Sequence, residues 1–302
     1  MRKNDTEVER NCTIVVKTFE RPTVLRRLVR SIRRFYPDIP LFVVDDSEEP
    51  LDPAPEGVTR YWRLPFNVGV SFGRNFGLKQ VETEYVLFTD DDLVFETRTD
   101  LSKMLAALRS TPFDVVSCNW VDHEMHTGIR MGVRRFEGTL EIVDGAYVHR
   151  YQATRGTIDG LPVYDVLHNF FMAPTDRLGE DPWDARIKTE HEHGDLFLTL
   201  KERGLLFTRL PDVFVYHYPE RPPRYVEFRG HAGPWWEIWS QKRGIEREVF
   251  VGRQFRRGDR LLHYYPSKAA HIGRRVARVA RRLVREGRLR AAQPSSGTQA
   301  AG

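Results

Sequence analysis

The chain has 302 residues, a net charge of +5 and 40% hydrophobic residues, enough for one large α/β domain or two small ones. No stretch approaches the roughly 20 consecutive apolar residues that span a bilayer, and residues 1–11 lack the apolar core of a secretory signal. We therefore expect a cytoplasmic protein. The two cysteines, Cys12 and Cys118, lie in predicted buried strands, which argues against a disulfide framework or a cysteine-based zinc site.

The first part of the chain alternates between apolar strands and an amphipathic helix. Residues 13–19 are rich in β-branched side chains, and residues 23–35 carry apolar side chains at helical spacing. A second apolar strand, residues 41–44, ends at Asp45 and Asp46. This order is a β-α-β unit, which predicts a parallel sheet with helical crossovers.

A second group of acidic residues follows another predicted strand. Residues 85–89 form an apolar run that leads directly into Asp90, Asp91 and Asp92. Ligand sites of open α/β sheets lie at the carboxyl ends of strands. Both acidic groups are therefore candidate ligand-binding positions.

The second half of the chain has a looser pattern. We predict helices at residues 101–108 and 195–201, strands at residues 114–119 and 163–173, and hairpin-like pieces over residues 121–159. The Pro, Ser and Gly residues of the last nine positions indicate a disordered end.

Three consecutive aspartates at a strand end indicate either a metal site or a helix cap. Like charges a few ångströms apart repel each other, and a divalent cation removes that penalty. Carboxylates suit Mg²⁺ and Mn²⁺, which take one or two of them and fill their other positions with phosphates and water. Aspartate is also favoured at helix N-caps, so the residues alone leave both readings open.

Several motifs, taken in order, resemble the nucleotide-binding half of GT-A fold glycosyltransferases of the family 2 kind. The order is Lys17-Thr18-Phe19, then Arg21, then Val43 to Ser47, then Asn67-x-Gly69 with Arg74-Asn75, then Asp90-x-Asp92. Gly73-Arg74-Asn75, Asp90 to Phe95 and Asn169 to Asp176 are further similar to the catalytic domain of animal β-1,4-N-acetylgalactosaminyltransferases. The resemblance covers about residues 12–220.

The resemblance implies roles for individual residues around a nucleotide-sugar donor. The implied donor-binding set is Thr18, Phe19, Arg21, Asp45, Asp46, Asn67, Gly69, Arg74, Asp90 and Asp91. Asp90 and Asp92 would hold Mn²⁺ or Mg²⁺ as the cofactor. His217 follows a β-rich run and matches a histidine that completes the metal site in many GT-A enzymes, although a structural role is as well supported.

An inverting transferase needs a base that deprotonates the acceptor hydroxyl. In the family this base lies in an acidic pair at a helix start, where this chain departs from the usual Glu-Asp-x-Asp-Leu pattern. The candidate bases, in order of preference, are Glu192, Asp195, His193 and Glu190; each could instead cap the helix or face solvent. His191 and His193 are two residues apart, which is the wrong spacing for a zinc protease helix.

Other residues suggest how the acceptor is bound. Trp235 and Trp236 could stack on a sugar ring or belong to the core, and Asn169 lies in one of the motifs that resemble the family. Residues 273–290 contain eight arginines and one acid, so the rest of the chain is slightly acidic and nucleic-acid binding is not expected. Over residues 269–290 the pattern predicts a basic amphipathic helix that binds the inner face of an anionic membrane.

Taken together, these features predict an α/β protein with a GT-A fold, a mixed sheet flanked by helices. The predicted organisation is an N-terminal extension at 1–11, a glycosyltransferase domain at 12–245, with a nucleotide-binding half at 12–120 and an acceptor-binding half at 121–245, and a C-terminal basic amphipathic helix with a disordered tail at 246–302. The predicted function is inverting, metal-dependent transfer of N-acetylgalactosamine, galactose or glucose from a UDP-sugar to a glycan or lipid-linked acceptor. The alternative is a catalytically inactive sugar-nucleotide or membrane-binding module.

Overall fold

The computed structural model describes residues 6–123, 130–229 and 233–252. Among these residues, no helix is both long and apolar enough to cross a membrane. The predicted basic helix at 269–290 lies outside the described residues. Its attachment to a membrane and the cytoplasmic location therefore stay predictions.

Strands and helices alternate through the first half of the chain. They are α1 (Thr6–Asn11), β1 (Cys12–Thr18), α2 (Pro22–Phe35), β2 (Leu41–Asp45), β3 (Arg60–Arg63), α3 (Val70–Lys79), β4 (Tyr85–Asp90), β5 (Leu93–Val94), α4 (Leu101–Ser110) and β6 (Val115–His123).

The second half is richer in short strands. It contains β7 (Arg130–Arg134), β8 (Gly138–Val143), β9 (Ala146–Tyr151), β10 (Thr157–Ile158), β11 (Leu161–Pro162), β12 (Phe170–Pro174), a 3-10 turn (Asp176–Leu178), α5 (Glu192–Glu202), β13 (Phe207–His217), α6 (Pro223–Arg229), α7 (Trp235–Arg243) and β14 (Arg247–Val251).

The main sheet is mixed, with the strand order β3-β2-β1-β4-β12-β6-β13-β5 and β7 paired to β6. Strands β2, β1 and β4 are parallel, β12 is antiparallel to both of its neighbours, and β13 is parallel to β6. The parallel strands read as continuous apolar runs because helices cover both faces of the sheet. Val16 of β1 joins the core under α2 and α4, whereas Val15 joins the core under α3 and α5.

Two sequence predictions differ from the observed elements. Within the predicted strand at 163–173, only residues 170–173 belong to β12. The backbone nitrogens of Tyr164 and Val166 instead donate to the carbonyl oxygens of Phe207 and Gly138, so residues 163–169 form isolated bridges rather than part of the strand. In the predicted N-terminal extension, Val8 of α1 is fully buried in the core.

A smaller sheet packs beside the main one. Strand β9 lies between β8 and β14, and β14 runs parallel to β9. Strand β14 lies beyond residue 245, where the sequence predicted the domain boundary. The three strands belong to the same compact unit as the main sheet, Met1–Phe255.

A buried histidine of β9 should make the fold sensitive to acid. Nε2 of His149 donates a hydrogen bond to the Phe136 carbonyl oxygen at 2.9 Å, and burial lowers the pKa of His149 to about 4. The unfolded chain has an ordinary histidine pKa of about 6.5, so between these values it binds more protons than the folded chain. Stability therefore falls as pH drops.

The expected loss from this one group is up to about 3 kcal/mol between pH 6.5 and pH 4. Urea unfolding over this range should show a shallower pH dependence for His149→Gln than for the wild type. An unchanged slope would contradict the role of His149.

Candidate active site

The carboxyl ends of β1, β4 and β13 surround a cavity of about 520 Å³. Six basic side chains line it, together with four carboxylates and three histidines. They are Lys17, Arg21, Arg74, Arg134, Lys188 and Arg221; Asp90, Asp92, Glu190 and Glu192; and His168, His193 and His217. The lining cations outnumber the lining carboxylates, which favours an anionic ligand.

The three consecutive aspartates face different environments. Asp91 is fully buried, accepts a hydrogen bond from Thr18 Oγ1 at 2.6 Å and pairs with Arg21. Burial raises the pKa of Asp91 to about 6, although the Arg21 charge acts in the opposite direction. Thr18 and Asp91 are not among the described residues that line the cavity, so the structure does not bring these two predicted donor-binding residues to it.

Asp92 and His217 form the centre of a chain of charged groups at the cavity wall. Asp92 Oδ2 accepts from Arg21 Nη1 at 2.9 Å and lies 3.6 Å from His217 Nε2. The other ring nitrogen of His217 donates to Asp122 Oδ1 at 2.5 Å, and Asp122 pairs with Arg134. Asp122 therefore fixes the ring orientation of His217.

The charges of this chain set its pKa values. Burial acts to raise the pKa of Asp92, but Arg21 and His217 outweigh it and hold that pKa below its usual range. Burial acts to lower the pKa of His217, but Asp92 and Asp122 outweigh it and raise that pKa. The carboxylate of Asp92 is therefore ionised at neutral pH.

Asp92 and His217 fit as part of a divalent-metal site. The described residues hold no group of three or more His, Cys, Asp or Glu side chains placed to bind one ion. Of the predicted ligands, Asp90 is engaged by Arg74 Nη2, which donates to its Oδ1 at 2.5 Å. The Asp92 and His217 donor atoms lie close enough to share an ion whose other positions are filled by phosphate and water.

Asp45 and Asp46 lie outside the described cavity lining and bind neighbouring residues. Asp46 pairs with Lys17 Nζ at 2.6 Å and accepts from the backbone nitrogen of Gly69 at 2.9 Å, while Asp45 accepts from the Tyr61 hydroxyl. Neither aspartate is among the described lining residues. The structure therefore does not bring Asp45 or Asp46, both predicted to bind the donor, to the cavity.

The loop between β3 and α3 does reach the cavity. Asn67 and Gly69 line it, and both have positive φ angles, 52° and 98°. A Cβ on Gly69 would lie 2.6 Å from Cβ of Lys188, so glycine is needed at this close approach. Lys188 Nζ donates to the Asn67 carbonyl oxygen at 3.0 Å and fixes the loop.

Three phenylalanines form an aromatic cluster at one end of the cavity. Phe19 and Phe228 line the cavity, with ring centroids 5.9 Å apart. Phe66 packs on both rings and is 42% exposed. Sequence reasoning singled out Phe19 but missed Phe66, in the loop between β3 and α3, and Phe228, in α6, because these residues are far apart in sequence.

Helix α5 contributes its first turn to the cavity lining. Glu192 is buried and lines the cavity, and Glu190 lines it from an exposed position. His193 Nε2 donates to the Leu167 carbonyl oxygen at 2.6 Å, and burial, assisted by the Arg74 charge, lowers the pKa of His193 to about 3. His193 is therefore neutral. Asp195 is outside the cavity lining.

The predicted acceptor residues are divided. Asn169 and Trp235 line the cavity, and Asn169 Oδ1 accepts from Arg74 Nη1 at 3.3 Å. Trp236 is not among the described lining residues and packs on His191, with ring centroids 5.5 Å apart. Sequence reasoning missed a stacked pair in the lining, Trp120 on His168, whose centroids are 4.6 Å apart.

A mixed α/β sheet with a cationic cavity and ionised carboxylates at its strand ends is the architecture of nucleotide-binding α/β proteins. The family model for "Glycosyl transferase family 2" matches residues 13–173, just over half of the chain. The chain belongs to this family. The match confirms the predicted family 2 glycosyltransferase with a GT-A fold.

Sequence relatives agree with this assignment. The chain is 34% identical to Beta-1,4 N-acetylgalactosaminyltransferase 2 of Mus musculus over 219 residues, 70% of this chain and 40% of the relative. It is 35% identical to Beta-1,4 N-acetylgalactosaminyltransferase 1 of Homo sapiens over 198 residues, 62% of this chain and 35% of the relative. The chain thus matches well under half the length of these relatives.

A solved structure shares the fold. The crystal structure of GalNAc-T7 with UDP, GalNAc and Mn2+ superposes with a TM-score of 0.56 at 12% identity, over 71% of this chain and 45% of that chain. At this identity the likeness concerns the fold alone.

Proposed function

We propose that the protein transfers a sugar, with inversion, from a UDP-sugar to a glycan or lipid-linked acceptor in a reaction that requires Mn²⁺ or Mg²⁺. N-acetylgalactosamine is the first candidate sugar, because the two relatives carry that sugar in their names. Galactose and glucose are the other candidates. The GalNAc-T7 structure of the same fold holds UDP, GalNAc and Mn2+.

The observation that carries the proposal is the Asp92 and His217 pair beside Arg21. An ionised carboxylate and an imidazole nitrogen 3.6 Å apart would hold the cation, and the donor diphosphate would complete its coordination. The cation would neutralise the charge that develops on the departing diphosphate. Arg21, fixed by Asp91 and Asp92, would add a preorganised positive charge at the same place.

The rest of the donor fits the neighbouring walls. The uracil would stack in the cluster of Phe19, Phe66 and Phe228, at the end of the cavity next to Arg21 and Tyr225. Arg74 and Asp90, which pair at 2.5 Å and both line the cavity, would contact the ribose or the sugar.

The acceptor would enter from the α5 side. Glu192 would take the proton from the acceptor hydroxyl as that oxygen attacks the anomeric carbon, because it is the buried carboxylate that α5 presents to the cavity. His193 is neutral and its Nε2 proton is held by Leu167, so it would serve as a hydrogen-bonding group. Trp120 and Trp235 would supply apolar faces for the acceptor sugar.

Titration calorimetry with three donors tests the proposal. UDP-N-acetylgalactosamine, UDP-galactose and UDP-glucose are titrated into the wild type with Mn²⁺, with Mg²⁺ and with EDTA. We expect one donor to bind. Its Kd should rise at least about tenfold in EDTA, which corresponds to a loss of about 1.4 kcal/mol of binding free energy. Absence of binding by all three donors under every condition would overturn the proposed function.

A further inference from the structure

Helix α7 is attached to the first turns of α5 by a buried ionic cluster. Asp195 is 1% exposed, and its two carboxylate oxygens lie 2.6 Å from Lys242 Nζ and 2.7 Å from Arg243 Nε. Arg243 also donates to the Asp195 carbonyl oxygen at 3.0 Å and to Thr199 Oγ1 at 2.5 Å. The carboxylate is thus fully engaged by two cations from α7.

Ring packing joins the same two helices. His191, the residue before α5, stacks on Trp239 of α7 with ring centroids 4.6 Å apart and an angle of 10°. A Cβ on Gly194 would lie 2.9 Å from the Tyr147 hydroxyl and 3.6 Å from the Trp239 ring. The absence of a side chain at Gly194 lets these rings pack closely on the first turn of α5.

This attachment links two walls of the cavity. The first turn of α5 carries Glu192 and His193, and α7 begins with Trp235; all three line the cavity. Asp195, Lys242 and Arg243 are outside the described lining. The donor side is built from other elements, with Arg21 before α2, Asp92 after β4 and His217 at the end of β13.

We propose that Asp195, Lys242 and Arg243 form a positioning clamp that sets the distance between Glu192 and Trp235, and so shapes the acceptor side of the cavity. The acceptor role rests on the proposed function. The clamp itself is a claim about α5 and α7 and is testable without turnover. It also gives Asp195 a role other than that of catalytic base.

Lys242 is the member of the clamp best suited to substitution, because its side chain is 28% exposed. Lys242→Met removes one of the two cations, and Lys242→Arg keeps the charge. Lys79→Met is the matched control. Lys79, the last residue of α3, pairs through its Nζ with Asp181 at 2.8 Å, and neither residue contacts α5 through a described ion pair.

Amide hydrogen exchange is measured first, on the free protein. We expect Lys242→Met to speed exchange at least about fivefold in residues 191–196 and 235–243 and to leave β1 and β4 unchanged, since opening is local where buried contacts are lost. Lys242→Arg and Lys79→Met should match the wild type. Exchange in both segments that matches the wild type would overturn the clamp.

Kinetics then separate positioning from general destabilisation. With p-nitrophenyl β-D-galactoside and p-nitrophenyl β-D-N-acetylglucosaminide as acceptors, Lys242→Met should raise the acceptor KM about tenfold, because the acceptor side of the cavity loses its fixed shape. The calorimetric Kd for UDP should stay within twofold of wild type, a split that a purely structural role does not produce.

The clamp and the proposed function fail in different ways. An unchanged acceptor KM, or a UDP Kd that rises in parallel with it, would overturn the acceptor-positioning role. A wild type that neither binds nor releases UDP would overturn the proposed function, while the exchange measurements still decide whether the clamp exists.

Discussion

Asp92→Asn is expected to lower the turnover of the protein by at least about 10³-fold, because a metal site contributes several kcal/mol to the stabilisation of departing charge. Asparagine keeps the shape of the side chain but removes the negative charge that faces His217 and Arg21. The pair that would hold the cation then has one neutral oxygen in place of a carboxylate. Metal-dependent UDP binding should be lost with it.

The measurements are initial rates of UDP release and calorimetry of UDP with Mn²⁺ and with EDTA. Asp100→Asn is the control, since Asp100 caps α4 by accepting from the backbone nitrogen of Lys103 at 3.3 Å and is outside the described cavity lining. Arg21 retains its pair with Asp91 in the variant, so the fold should persist, which a thermal melt checks. Metal-dependent UDP binding that survives in Asp92→Asn would contradict the assignment of the cation site.

The central part of the fold could be predicted from the sequence because its signals are local. Strands β1, β2 and β4 are apolar runs that end at polar residues, and α2 has a clean helical stripe that becomes buried. The stretch at 163–169 also contains several apolar residues, but backbone hydrogen bonds from it go to Gly138 and Phe207, far along the chain. Such pairing is decided by tertiary contacts that periodicity does not contain.

The candidate site could be predicted in part for the same reason. The ordered motifs identified Asp90 and Asp92, and the family resemblance identified His217; the structure brings all three to one cavity. In sequence, Asp46 and Asp195 resemble site carboxylates as closely as Asp92 does. The structure separates them, because Asp92 lines the cavity, whereas Asp46, paired with Lys17, and Asp195, paired with Lys242, lie outside the described lining.

Two cations and two rings of the cavity lining carried too little local signal to be found from the sequence. Arg134 ends the short strand β7 and Lys188 lies in the loop before α5, so each reaches the cavity from a different segment. Trp120 and His168 lie 48 positions apart along the chain and stack only in the folded protein. Lone residues of these types occur on most protein surfaces and interiors, so their meaning depends on the neighbours that folding supplies.

The second large effect is expected from Glu192→Gln, which should lower kcat by about 10² to 10⁴, the contribution of a general base. Glutamine keeps the size and polarity of the side chain but cannot accept the proton of the acceptor hydroxyl. In the proposed function the UDP-sugar contacts Arg21, Arg74 and Asp92 rather than Glu192, so its calorimetric Kd should change less than about twofold. A loss of kcat without a loss of donor binding is the signature of an interaction made only in the transition state.

Glu190→Gln provides the comparison that identifies the base. Glu190 lines the same cavity two residues earlier, but it is exposed to solvent and precedes the helix. Water screens an exposed carboxylate, and its mobility weakens alignment with a hydroxyl, so a loss below about tenfold is expected. If Glu190→Gln instead shows the large loss and Glu192→Gln keeps its kcat, then Glu190 is the base, and the buried Glu192 serves to order the first turn of α5.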